Sequence, residues 1–243
     1  MQYIDKLEYH VTDLCNLSCQ FCNHYSNLHK SRRMMEPADA AVEWTKWAAH
    51  LIPREFILLG GEPTMNPRLE ELVSLARQTW SRSRIVIWSN GHWLQKHPRL
   101  HEVLAGGALK LSLYAETNMA ELHSKLARFH GVVDVEFNDF RASDTWLQFY
   151  KLEDGKPQPF TDNDPAKSWE HCPSKHCHVL RDGALWKCPQ VAYHKSVGID
   201  WPAFTAYEPL QDPLDFAAWI ARKHEHCCSC CPAGRVIHNA VTR

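Results

Sequence analysis

The chain has 243 residues, 44% of them apolar, and its 27 Lys+Arg against 28 Asp+Glu leave a formal net charge of -1. That is apolar material for one large or two small domains, which excludes disordered and fibrous classes, and the balanced charge offers no field to draw in nucleic acid or an anionic membrane. No stretch approaches the ~20 apolar residues of a bilayer span and Met1-Gln2-Tyr3-Ile4-Asp5-Lys6 is no signal peptide, so a cytoplasmic protein with reduced thiols is expected.

In chain order, five segments have strand length and β-branched or aromatic content: Leu7 to Val11, Phe56 to Leu59, Ile85 to Trp88, Leu109 to Leu113 and Val132 to Phe137. Helical spacing separates them. Pro37 opens a stretch with Ala41, Trp44, Ala48 and Leu51 on one face, and Leu69 to Trp80 and Met119 to Phe129 repeat the pattern. A sixth strand is expected around Thr145 to Leu152. The result is an α/β fold, a partial (β/α)6 barrel of the TIM type, in which chemistry sits at the carboxyl ends of the strands.

At Asp154 to Pro165 the composition turns to Pro, Asp and Gly, so a boundary is expected between a barrel domain, 1–153, and a small second domain, 154–243. Within the second, Asp182-Gly183 between His178-Val179-Leu180 and Ala184-Leu185-Trp186 predicts a hairpin, and a short helix is expected near Leu214 to Arg222.

Ten cysteines fall at 15–22, 172–188 and 227–231, and in a reducing compartment they read as ligands of two metal centres. Cys15, Cys19 and Cys22 form a Cys-x3-Cys-x2-Cys loop at the end of the first strand. Three thiolates on one loop suit three irons of a 4Fe–4S cubane and leave the fourth iron open to a reacting ligand. A zinc site closed by His24 is the competing reading. Gly60-Gly61-Glu62-Pro63 ends the second strand, where the glycines let a ligand approach the backbone and Glu62 offers an acceptor for an amino group. Ser89-Asn90-Gly91 ends the third.

With these motifs the chain, from Leu7 to about Asn138, resembles the radical S-adenosylmethionine superfamily. The resemblance implies that Cys15, Cys19 and Cys22 hold the catalytic cluster, and that Gly60, Gly61, Glu62 and Pro63 bind the methionine amine of S-adenosylmethionine. It further implies that Phe21 borders adenine and that Ser89, Asn90 and Ser112 contact ribose and carboxylate. One electron then splits the sulfonium to a 5′-deoxyadenosyl radical, which a closed barrel mouth shelters. The electron would come from a donor such as flavodoxin or ferredoxin.

The later cysteines resemble a twitch domain, the shorter relative of SPASM domains, which carries one auxiliary 4Fe–4S cluster. Its ligands by that resemblance are Cys172, Cys188 and one Cys-x2-Cys pair: Cys228/Cys231, favoured because Pro232 ends the loop, or Cys227/Cys230. Cys177 faces Cys188 if the hairpin turn has two residues, and either replaces Cys172 or remains an unligated thiol available as a hydrogen donor. A zinc ribbon is the alternative.

Trp44, Trp47 and Trp80 are read as core, and the histidines His171, His176, His178, His224 and His226 as polar loop residues. Trp146, Gln148, Tyr150 and Lys151 are candidates for the substrate side, and Arg128 and Arg141 either meet a carboxylate or are solvated. The expected activity is oxidation of a hydroxylated small molecule such as an aminocyclitol or sugar derivative, the auxiliary cluster accepting an electron. Epimerisation and maturation of a ribosomal peptide are the enzyme alternatives, the latter disfavoured because the first strand begins near residue 7. A zinc-stabilised binding module is the non-enzyme alternative.

Overall fold

The computed structural model describes residues 1–141 and 146–238. Its elements run β1 (Gln2–Thr12), α1 (Pro37–Ala48), β2 (Leu51–Gly60), α2 (Leu69–Thr79), β3 (Arg84–Ser89), α3 (Leu100–Val103), β4 (Ala108–Leu113), α4 (Met119–Leu126) and β5 (Asp134–Asp139). Then follow β6 (Trp146–Leu147), β7 (Lys151–Glu153), β8 (Lys156–Gln158), α5 (Pro165–His171), β9 (Cys177–Arg181), β10 (Ala184–Trp186), α6 (Pro189–Tyr193), α7 (Pro202–Thr205), α8 (Phe216–Ala221) and β11 (Ile237–His238).

All five expected strands form. They lie in one sheet of seven strands ordered β10-β9-β1-β2-β3-β4-β5, parallel throughout except for the β9/β10 hairpin. This is the partial barrel. Leu7, Tyr9, Val11, Phe56 and Leu58 pack outward with Trp44, Trp47, Leu72 and Val73 of the helices. Strand alternation turns Lys6, Glu8, His10 and Thr12 the other way, into the barrel.

The sixth parallel strand is β9, not the segment expected at 145–152. Lys6 pairs with Cys177 and Tyr9 with Leu180, so the strand before the Asp182-Gly183 turn closes onto β1. Thr145 lies outside the described residues. Trp146–Leu147 instead pairs antiparallel with Ile237–His238, and Lys151–Glu153 with Lys156–Gln158. The Asp154-Gly155 turn between the last two carries φ of 50° and 73°, the left-handed pair that Asp182-Gly183 repeats at 53° and 72°. Both turns have the type I′ sequence that suits a two-residue hairpin.

Trp44, Trp47 and Trp80 are core residues, as read. The buried face of α1 is Ala40, Trp44 and Trp47; Leu51 opens β2 rather than ending the helix. The helix expected near Leu214 to Arg222 is α8. A second apolar cluster, centred on Tyr25, Tyr150, Val191, Tyr193 and Phe204, fills the space between the barrel mouth and the later cysteines. Among the described residues no helix is long and apolar enough to cross a membrane.

Candidate functional site

The cysteine loop leaves β1 and is laid against the end of β2. Gly61 N donates to Thr12 O (2.9 Å) and Glu62 N to Leu14 O (2.7 Å). A Cβ on Gly60 would collide with the Thr12 carbonyl, and one on Gly61 with the Leu14 carbonyl, with Cys15 N only 2.8 Å away. The glycines therefore admit the backbone of the cysteine loop itself, which corrects the expectation that their gap serves the ligand. The loop and the glycine segment are one unit.

The Glu62 carboxylate is not a free acceptor either. It is buried and receives Thr64 N (3.0 Å), Thr64 Oγ1 (2.5 Å), Ser89 Oγ (2.6 Å) and Asn90 N (2.7 Å). Burial raises its pKa, and these hydrogen bonds work against that. Its role is to clasp the end of β2 to the end of β3. Asn90 Nδ2 extends the clasp to Asn16 Oδ1 of the cysteine loop at 2.9 Å. Pro63 is buried at the start of a short turn and does not line the cavity.

Around this unit lies a cavity of about 430 Å³ at the carboxyl ends of the strands. Cys15, Cys19, Cys22, Phe21, Gly60, Gly61, Glu62, Ser89, Asn90 and Ser112 all reach it, so nine-tenths of the residues assigned by resemblance to this centre come together. Burial pushes the Cys19 thiol up to about 12 and the Cys15 thiol higher. Cys22 goes the other way: burial opposes ionisation, but the hydrogen bond and charge of His24 lower its pKa. His24 Nε2 meets Glu8 Oε2 at 3.3 Å, so His24 serves Cys22 and Glu8.

The far end of the same cavity is walled by Lys6 and Glu8 of β1, Cys177 of β9, and Ser174 in the turn before it. Cys177 faces Glu8, whose carboxylate accepts from the thiol and raises its pKa together with burial. Trp88, Asn138 and Phe140 complete the wall. Strand alternation from Thr12 back to Lys6 could have revealed Glu8 and Lys6; nothing in the sequence singled them out from other strand charges.

A second, smaller cavity of about 50 Å³ is lined by Cys172, Cys188, Cys227, Cys228 and Cys231, with Gln148, His171 and Ser168. Cys230 is buried beside them in the same apolar cluster without lining the cavity, and Cys177 belongs to the barrel cavity. Burial raises Cys172 to about 11 and Cys188 and Cys231 as well, each raised further by neighbouring thiols. Cys228 is lowered by a hydrogen bond from Cys227. The two cavities share Leu147, Phe149 and Pro173 as a wall.

The candidate substrate residues divide. Trp146 lines the barrel cavity and Gln148 the second; Tyr150 is buried between them, 5.6 Å from the Phe21 ring; Lys151 sits over Phe160 in the β7/β8 hairpin. Arg128 donates to Leu94 O, and Arg141 pairs with Asp139, so neither is available to the cavity. A further buried ion pair, Asp13 with Arg181 at 3.1 Å, ties the start of the cysteine loop to the end of β9.

Grouped thiols suit iron–sulfur chemistry, because soft thiolates are the cluster's ligands and buried thiols near one another gain from exchanging protons for cationic iron. Among the described residues no three His, Cys, Asp or Glu side chains converge to hold a single metal ion. The barrel cavity also has room and polar edges for a ligand the size of S-adenosylmethionine.

A strand-borne three-cysteine loop, clasped to a glycine turn at the mouth of a partial barrel, defines a radical enzyme scaffold. Residues 9–135, more than half of the chain, match the Radical SAM superfamily. The chain belongs to that superfamily, whose members use a 4Fe–4S cluster and S-adenosylmethionine. It is 29% identical over 120 residues to the GTP 3′,8-cyclase of Aquifex aeolicus (strain VF5), an alignment covering 48% of this chain and 36% of that protein. It thus spans about a third of that relative's length.

Over nearly the whole length the fold is similar to crystal structures of BtrN. BtrN in complex with AdoMet and 2-DOIA superposes with a TM-score of 0.56 at 16% identity, covering 94% of this chain and 92% of BtrN. BtrN in an open conformation gives 0.50 at 15% identity, covering 92% and 86%.

Proposed function

We propose that this superfamily member oxidises a hydroxylated small molecule, aminocyclitol or sugar-like, with Cys15, Cys19 and Cys22 holding the catalytic cluster and Cys172, Cys188, Cys228 and Cys231 an auxiliary 4Fe–4S cluster. The auxiliary set lies within 154–243, the proposed twitch-like segment, whose β9 and β10 also join the barrel sheet. Bound at the barrel mouth, the cluster and S-adenosylmethionine supply a carbon-centred radical that takes one hydrogen atom. Gly60 to Glu62, Ser89, Asn90, Ser112 and Phe21 border the cofactor. Trp88, Trp146 and Phe140 keep water from the reacting end.

Carbinol oxidation must dispose of a hydrogen atom, a proton and an electron. The hydrogen atom would go to the radical the cofactor supplies, the hydroxyl proton to Glu8 as cavity base, and the electron to a cluster held by the second thiol set. The observation that carries the reading is the second thiol cavity sharing a wall with the first. Cys172, Cys188, Cys228 and Cys231 would hold such a cluster through four thiolates, and it would supply an electron acceptor there. A low-potential donor such as flavodoxin or ferredoxin starts the cycle.

The test is anaerobic turnover of reconstituted protein with S-adenosylmethionine and extract of the producing cell. A product lighter by one pair of hydrogens, formed with 5′-deoxyadenosine and lost in Cys188→Ala while 5′-deoxyadenosine persists, supports oxidation. Normal product from a folded Cys188→Ala variant shown to lack the second cluster overturns it.

A second reading rests on Cys177 lying in the barrel cavity. As hydrogen donor its S–H breaks, a C–H forms on the substrate radical, and the sulfur radical left behind takes one electron from the donor and one proton from water. That is epimerisation, redox-neutral for the substrate. Product of unchanged mass that gains one deuterium in D2O, and loses it in Cys177→Ala, would favour it.

A further inference from the structure

Among the described residues that line the barrel cavity, Lys6 is the one lysine or arginine. Its cross-strand neighbour on β2, Glu55, is already held by Lys110 Nζ at 3.1 Å and by Arg84 at 3.5 Å. Glu8, two residues on, is held by His24 and accepts from Cys177. Among the described residues no carboxylate lies within salt-bridge distance of Lys6. Its other cross-strand neighbour is Cys177, and the turn holding Ser174 packs against the same strand. Ser174 is 6% exposed, lines the cavity, and its hydroxyl has no hydrogen-bond partner among the described residues.

A half-buried ammonium without a carboxylate partner, beside a cavity-lining hydroxyl that no protein group engages, is placed to take an anionic ligand. Other charges in this part of the cavity, Glu8 and His24, neutralise each other. We propose that the part of the cavity lined by Lys6 and Ser174 is a subsite for an acidic group, carboxylate or phosphate, on the substrate, with Lys6 as counter-ion and Ser174 as neutral donor. This rests on the oxidation of a hydroxylated small molecule proposed above and narrows it: the substrate is a sugar-like acid rather than an aminocyclitol. The hydroxyl to be oxidised then lies between the acid group and the cofactor end, within reach of Glu8. Cationic aminocyclitols meet like charge at Lys6 and are disfavoured.

The experiment is anaerobic titration calorimetry of reconstituted, S-adenosylmethionine-loaded protein with four probes: D-gluconate, D-glucose 6-phosphate, myo-inositol and 2-deoxystreptamine. At least one acid should bind more tightly than the polyol and the amine. Lys6→Gln should weaken that acid at least tenfold, Lys6→Arg should retain it, and Lys6→Glu should turn the preference toward 2-deoxystreptamine. The two acids distinguish carboxylate from phosphate. Tighter binding of the polyol or the amine to wild type, failure of both acids to bind, or equal acid binding in Lys6→Gln overturns the subsite. Iron content and substrate-free cleavage of S-adenosylmethionine are measured on every variant. Loss of cleavage in wild type would sink the radical reading while leaving acid binding to stand or fall separately.

Discussion

The two thiol cavities differ in how their cysteines are delivered. The first takes three from one eight-residue loop, Cys15 to Cys22, opening on about 430 Å³ with polar groups from five strands. The second gathers Cys172, Cys188, Cys228 and Cys231 from three separated segments around about 50 Å³. A local loop leaves room beside it for a reacting ligand; a site tied from distant segments closes on itself. On the proposed assignment the difference would be that between a reactive and a saturated metal centre, seen elsewhere in catalytic and structural zinc.

The sharpest way to break the comparison is to remove each set in turn. Changing Cys15, Cys19 and Cys22 together to Ala should abolish cleavage of S-adenosylmethionine and remove roughly half of about eight irons in the reconstituted protein. Stoichiometric zinc, with no broad absorption near ~400 nm of the kind an iron–sulfur protein gives, would sink both assignments. In the second set the membership itself is at stake. Cys228→Ala and Cys231→Ala should each lose about half of the iron, whereas Cys230→Ala and Cys177→Ala should keep all of it. Iron loss in Cys230→Ala equal to that in Cys231→Ala would return the pair to an open choice.

A smaller effect tests whether loop and glycine turn are one unit. Gly61→Val drives its side chain into Leu14 and Cys15, so it should weaken the catalytic cluster as well as binding of S-adenosylmethionine, by at least tenfold in ligand affinity. Quantitative iron with affinity alone reduced would show that the gap serves the ligand after all.

These cases show what the sequence made legible. The three-cysteine loop, the glycine turn and the Asp182-Gly183 hairpin are local, so spacing and turn chemistry expose them. What escaped is set by long-range pairing. A five-residue strand such as Cys177–Arg181 carries no mark saying that its partner is β1, about 170 residues earlier, and alternation in β1 puts Lys6 and Glu8 on the face of Thr12 without saying that this face lines a cavity. The Asp154-Gly155 hairpin was legible by the same rule as Asp182-Gly183 and was masked by the surrounding Pro and Asp. Glu62 and the glycines were found for their motif, but their hydrogen bonds and contacts belong to the protein's own loops. Only the packed geometry reveals that.

The smallest predicted effect concerns β9, the strand between the cavities. It turns Cys177 into the barrel and His178 outward against Trp219, with Nδ1 3.4 Å from Lys187 O. Burial, and then the nearby Lys187 charge, hold the His178 pKa down to about 4. An unfolded histidine titrates near ~6.5, so in this window the unfolded chain binds the extra proton. The stabilisation by neutral His178 is therefore complete above about pH 6.5 and declines as pH falls toward about 4. At about pH 5.5 the loss is about 1.2 kcal/mol relative to neutral pH. Replacing His178 with Phe keeps a ring against Trp219 and removes the titration. Urea unfolding of the two proteins at neutral pH and at about pH 5.5 should show a decline shallower in the variant by about that amount. Parallel declines would mean that His178 carries its proton in the folded chain, and that this strand is more open to water than its packing indicates.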